Sequence, residues 1–214
     1  MDHPRSIRAG AFAWLSAIQF FIAQAVVALA WATPYSLADG YISDLGNTTC
    51  GPGAVVATAA LCSPWHALMN ASFVAIGITM AAGGVLARHV FTPGRVRVAA
   101  IVLFCVAGVG VVLVGLHPEN EWVAAHATGA GLNFVGGNVA LVLFGWSFPK
   151  GHQALAAFSV VAGVVGLAGT ALFVSGHYLG LGPGGMERFA AYPMSTWQIV
   201  VGAALLGSAR GHRA

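Results

Sequence analysis

An all-α membrane protein, six transmembrane helices in one bundle, is the fold class this sequence predicts. Three observations carry the prediction. Charged residues make up 7% of the chain, against about 25% in a soluble domain, too little to cover a water-facing surface. Mean hydropathy is +0.81, and the apolar residues fall into runs long enough to span a bilayer as helices. The basic residues, finally, segregate by loop in the manner of the positive-inside rule.

The runs come in order. A short basic head, MDHPRSIR, precedes a first apolar run over about Ala11–Ala32, interrupted by Gln19 and Gln24. Small residues near its end resemble a cleavage site, but the run exceeds the ~7–15-residue core of a signal peptide, so an uncleaved helix is expected. A polar stretch at about 33–64 follows, with Ala54–Leu61 in it too short to span. The second run covers about Trp65–Ala87 and ends at RHVFTPGRVR, where Pro93 and Gly94 break the chain. The third, Val98–Leu116, ends at HPENEW, and the fourth, about His126–Phe148, at PKGHQ. The fifth, Ala154–Ser175, leads into GHYLGLGPGGMERFAAYP, and the sixth covers about Met194–Ala209. No internal repeat or linker divides the chain, so residues 1–214 are expected to form one domain.

Charge then orients the bundle. With a cytoplasmic N-terminus, Arg5, Arg8, Arg88, Arg95, Arg97, Lys150, Arg210 and Arg213 fall inside, and of the nine basic residues Arg188 alone falls outside. Both termini are expected in the cytoplasm, in a multi-pass protein of the cell membrane. The scattered basic residues form no stripe, which argues against nucleic acid as a partner. Glycines spaced along the second, third and fifth runs suit close helix–helix packing.

The same topology collects the unusual polar residues at the outer side. Asp39 and Asp44 sit in the 33–64 stretch, and a carboxylate beside hydrocarbon needs hydration, a partner or a proton. His66 and Asn70, four residues apart, share a helix face. His117, His126 and His177 end runs at the same level, with Glu119, Glu121, Glu187 and Tyr192 nearby. Several histidines at one depth suit a metal or haem, yet no HxxxH, HExxH or CxxC spacing accompanies them. The sequence therefore calls for no metal and no cofactor. Arg188 suits an anionic group such as a lipid phosphate, or equally an internal ion pair with Asp44 or Glu187. Cys50 and Cys62 share the outer loop, and a disulfide between them is expected in an oxidising compartment.

Four motifs in order, ISDLG at Ile42–Gly46, NASF at Asn70–Phe73, VGLHPE at Val114–Glu119 with the later His126, and MERFAAYPMSTW at Met186–Trp197, resemble the DUF998 family. Its members are bacterial and archaeal membrane proteins of about six helices. The resemblance covers nearly the whole chain and implies a six-helix fold and the importance of Asp44, Asn70, His126, Glu187 and Arg188. It assigns no activity.

Two functions compete. In one, the outer side binds a lipid or isoprenoid-type substrate, an apolar or amphipathic molecule from the membrane. Asp44, His126 and Glu187 are then candidate catalytic acid–base groups, and Arg188, Asn70, Ser43 and Tyr192 candidate binding groups, since a carboxyl near hydrocarbon has a raised pKa. In the other, the same residues form a buried polar network that only fastens the outer loops of a non-catalytic accessory or structural protein among membrane lipids. Without repeats or mid-membrane charge, the sequence lacks the crossing path of a transporter.

Overall fold

The computed structural model of the protein describes residues 3–31, 34–48 and 63–211. The expected Cys50–Cys62 bond and the short Ala54–Leu61 segment lie outside the described residues. Among the described residues the fold is all helix, with six segments long and apolar enough to cross a membrane: His3–Leu29, His66–Leu86, Arg95–Leu116, Val123–Ser147, Gln153–Val174 and Gly182–Ser208.

The first span is two helices in line, α1 (His3–Leu15) and α2 (Ile18–Leu29). The basic head is thus helical from His3, earlier than the apolar run suggests. Between the two helices, Ser16 turns its hydroxyl back to the Ala13 carbonyl at 2.6 Å. A serine that competes for backbone carbonyls in this way tightens and bends a helix. Next come α3 (His66–Leu86) and α4 (Arg95–Leu116), close to the predicted second and third runs.

The fourth span is continuous but not uniform. It consists of α5 (Val123–Gly131), a π-helical stretch over Leu132–Gly137, and α6 (Asn138–Ser147). A π turn inserts an extra residue and shifts the faces that follow it. Helix α7 (Gln153–Val174) is regular.

The last helix differs most from expectation. Predicted over about Met194–Ala209, α8 runs from Gly182 to Gly211, so MERFAAYP is helical rather than loop. Gly182 has φ +74°, which lets the chain turn into the helix. Pro183 follows in the first turn, where a missing N–H costs nothing. Pro193, inside the helix, removes the N–H that would reach the Phe189 carbonyl. The adjacent Ala190 carbonyl accepts the side-chain amide of Asn138 at 3.2 Å, a cross-helix bond beside the break.

Each span packs on the next, and the last packs on the first, closing a ring. Close approach needs glycine at the crossings. A Cβ at Gly77 would stand 2.5 Å from the Gly108 carbonyl oxygen, and one at Gly108 would stand 2.6 Å from that of Gly77. Nothing larger fits the α3–α4 contact at this spacing.

Inside the ring, one half is filled by aromatics. Trp14, Phe91, Phe104, Phe144 and Trp197 are buried together. The Trp14 and Trp197 rings lie 4.9 Å apart, and Phe144 stacks on Trp197 at 5.2 Å and 16°. Both indole N–H groups are satisfied, Trp14 by the Met80 carbonyl and Trp197 by the Ser159 hydroxyl. This plug occupies the end opposite the 34–48 segment.

Candidate functional site

At the loop end, the chain makes a short 3-10 turn over Ser43–Gly46, the ISDLG motif. Such a turn leaves carbonyls and amides without local partners, and side chains from α3, from the residues just ahead of it and from α8 take them up. Ser63, ahead of α3, donates to the Leu45 carbonyl at 2.6 Å. Asn70, one turn into α3, donates to the Gly46 carbonyl at 2.9 Å. Glu187 of α8 receives the Ile42 N–H on one carboxyl oxygen and the Ser43 hydroxyl on the other, the latter at 3.1 Å. The motif is therefore held at both ends.

Asp44 is buried and accepts from the Tyr41 N–H at 2.6 Å and from the Asn47 amide at 3.5 Å. Its carboxyl also faces that of Glu119, from the α4–α5 connection, closely enough for a hydrogen bond between them. Burial, and then this second carboxyl, push Asp44 up to about 8. Glu119 is raised as well, chiefly by burial. Asn47 bridges the pair by donating to Glu119 at 3.3 Å. Alongside, the Thr48 N–H donates to Asn120 at 3.2 Å, and the Thr48 hydroxyl reaches Glu121. One shared proton and several amide bonds thus join the first loop to the α4–α5 connection. Glu119 was grouped with the outer polar residues by sequence but given no role in the site. Its signal was there, an acid in HPENEW at the same depth as Asp44.

Arg188 hydrogen-bonds to neither Asp44 nor Glu187, the internal partners considered for it. Its Nη1 donates to the carbonyls of Leu37, Gly40 and Gly184 at 3.0, 2.7 and 2.8 Å, and its Nη2 donates to the Tyr35 hydroxyl at 2.8 Å. The guanidinium also sits 5.6 Å from the Tyr35 ring centre, and Tyr35 in turn donates to the Tyr41 carbonyl. No carboxylate is among these hydrogen-bond partners. Arg188 is a clasp that gathers backbone carbonyls of the 34–48 segment onto the start of α8.

Tyr192, one turn further along α8, donates to Gln24 of α2 at 2.9 Å and packs its ring 4.9 Å from Phe21. Arg188 and Tyr192 also border an apolar groove of about 430 Å³ on the α7–α8 flank, with Phe158, Val161 and Phe189.

The remaining candidates meet at an internal cavity. Ser43, His126 and Glu187 line it together near the loop end, and Phe20, Phe73, Ile76, Met80, Val111, Val114 and Phe134 make its apolar walls. Room for the centres of water-sized groups amounts to about 50 Å³, a few times what one water needs. His126 has its Nδ1 3.0 Å from the His117 carbonyl. A carbonyl only accepts, so that nitrogen carries the proton. Further from the loop end the cavity is lined by Asn133, Ser195 and Gln198.

The polar cluster thus separates into two groups. Asp44, Asn70 and Arg188 spend their hydrogen bonds on protein contacts, whereas Ser43, His126 and Glu187 border the internal cavity. Sequence reasoning gave Glu119 no role and missed Tyr35 and the lower polar lining, because neither Tyr35 nor that lining stands out within its own segment. Among the described residues, no three His, Cys, Asp or Glu side chains gather in a way that suits one metal ion.

No curated protein and no solved structure matches the chain. The family described as "Protein of unknown function (DUF998)" matches residues 15–204. With the match covering all six spans in whole or large part, this chain belongs to the DUF998 family.

Proposed function

We propose that this protein binds a small amphipathic molecule drawn from the outer half of the cell membrane. The polar end of the molecule lies at Ser43, His126 and Glu187, and its apolar part lies among Phe20, Phe73, Ile76 and Val111. One observation carries the reading: a single cavity has an acid, an imidazole and a hydroxyl at one end and apolar walls beyond them. Small-molecule sites have this composition, mostly apolar with a few convergent polar groups. The aromatic plug supports a pocket with a floor rather than a passage. Glu187 and His126 are the pair that would exchange protons with the bound head group, since both border the cavity. Asp44 acts at one remove, by holding the turn that presents Ser43.

A second reading, that the cluster only fastens loops, is favoured by the clasp that Arg188 makes on three backbone carbonyls. The two readings part on ligand binding. Protein in lipid nanodiscs, irradiated with a diazirine-bearing octanol, is expected to be labelled within Phe73–Met80 and Ala130–Phe134. Ala191→Val, which narrows the cavity from α8, should suppress that labelling without lowering the melting temperature. Labelling confined to lipid-facing surfaces in both proteins would leave only the fastener.

A further inference from the structure

The floor of the cavity carries a chemistry of its own. Gln198 is 1% exposed, and no protein group donates to its Oε1. The Oδ1 of Asn133 is likewise buried and without a protein donor. Both residues line the cavity, with the Ser195 hydroxyl beside them. Asn133 stands in the π-helical stretch of the fourth span, and π turns recur where a helix presents a side chain to a ligand. An acceptor left bare within a bilayer is costly, because no bulk water reaches it. Two such oxygens on residues that line one space therefore mark a place where a donor is bound.

We infer that the floor is a second polar subsite, formed by Asn133 and Gln198, which takes a neutral hydroxyl of the bound molecule. The inference rests on the amphipathic-ligand reading above and adds the class of ligand, one with a hydroxyl at each end of an apolar span. Neutrality follows from the lining, since no charged side chain borders the floor. A charged group would be held there without a counter-charge. The separation follows from α8: Gln198 lies eleven residues beyond Glu187, about 16 Å along a helix axis. Side chains that reach toward one another shorten this to the length of a medium-chain diol.

The test is competition against the diazirine octanol, in nanodiscs, by 1,8-octanediol and by 1-octanol. In Gln198→Leu, the diol concentration that halves labelling should rise about tenfold, the weight of one hydrogen bond. The octanol value should not move, because its one hydroxyl stays at Ser43 and Glu187. The unbranched Gln198→Met should behave in the same way. The melting temperature of both variants should hold or rise, since each removes a buried acceptor that lacks a partner. If the diol is unaffected by both changes, the floor subsite is overturned while the amphipath reading stands. Equal weakening of both alcohols in both variants overturns the subsite too, because the floor touches only a second hydroxyl. Failure of either alcohol to compete in the unaltered protein defeats the binding reading, and the subsite falls with it.

Discussion

Arg188 is held by four hydrogen bonds, three of them to the backbone carbonyls of Leu37, Gly40 and Gly184. Truncation to alanine removes all four, so Arg188→Ala is expected to destabilise by about 3 kcal/mol. Arg188→Lys should recover only part of this, because an ammonium lacks the planar fork. Thermal unfolding in detergent measures both. An unchanged melting temperature for the alanine variant would mean that the clasp contributes nothing.

Asp44 makes a pH-dependent contribution whose sign follows from its shift. Its carboxyl ordinarily titrates near 4, and burial beside Glu119 moves it up to about 8. The Tyr41 N–H and, after it, Arg188 pull in the other direction and lower it. Between about pH 4 and pH 8 the folded protein keeps a proton that the unfolded chain releases. Stability must therefore fall as pH rises through that window. Glu119 shifts in the same direction and adds to the slope. The melting temperature is expected to be higher at pH 5 than at pH 8, with a smaller difference in Asp44→Asn. A rise toward pH 8 in the unaltered protein would refute the shared proton.

At the scale of elements, α8 does most to assemble the site. One face carries Glu187, Ala191, Met194, Ser195 and Gln198 to the cavity, and the next carries Arg188 and Tyr192 to the first loop and α2. The α3–α4 crossing sets how far apart the cavity walls stand, and it depends on the mutual approach of Gly77 and Gly108. Gly108→Val forces those backbones apart and should destabilise by about 2–3 kcal/mol. A value near zero would show that the crossing has slack. The helix boundaries predicted from apolar runs stand within a few residues for α3, α4 and α7. They fail for α8, because MERFAAYP carries an acid, a base and a proline. These residues read as loop when the partners that bury them are out of view.

For the whole molecule, the ring of described spans encloses the cavity that Ser43, His126 and Glu187 line. The charge bias across the loops sets the expected orientation, loop end outward and both termini inward. In a chain with Cys50, Cys62 and Cys105 replaced by serine, Asp39→Cys should react with a membrane-impermeant maleimide on intact cells. Gly151→Cys should react only after permeabilisation. The opposite pattern would invert the molecule and place the cavity at the cytoplasmic half.

Composition and run length alone determined the membrane environment and the six spans, and the order of the loops placed most of the acids at one end. The physical reason is that a bilayer imposes length and apolarity on each span independently of its neighbours. The four short motifs also marked the residues that tie that end together. Only the tertiary structure decided which of them do the tying. Asp44 pairs with Glu119 rather than with a base, and Arg188 takes carbonyls rather than a carboxylate. Ser43, His126 and Glu187 are left at the cavity, with Asn133 and Gln198 at its floor. Pairing of this kind depends on how helices distant in sequence rotate and cross, which is set by packing between spans. No single segment records it.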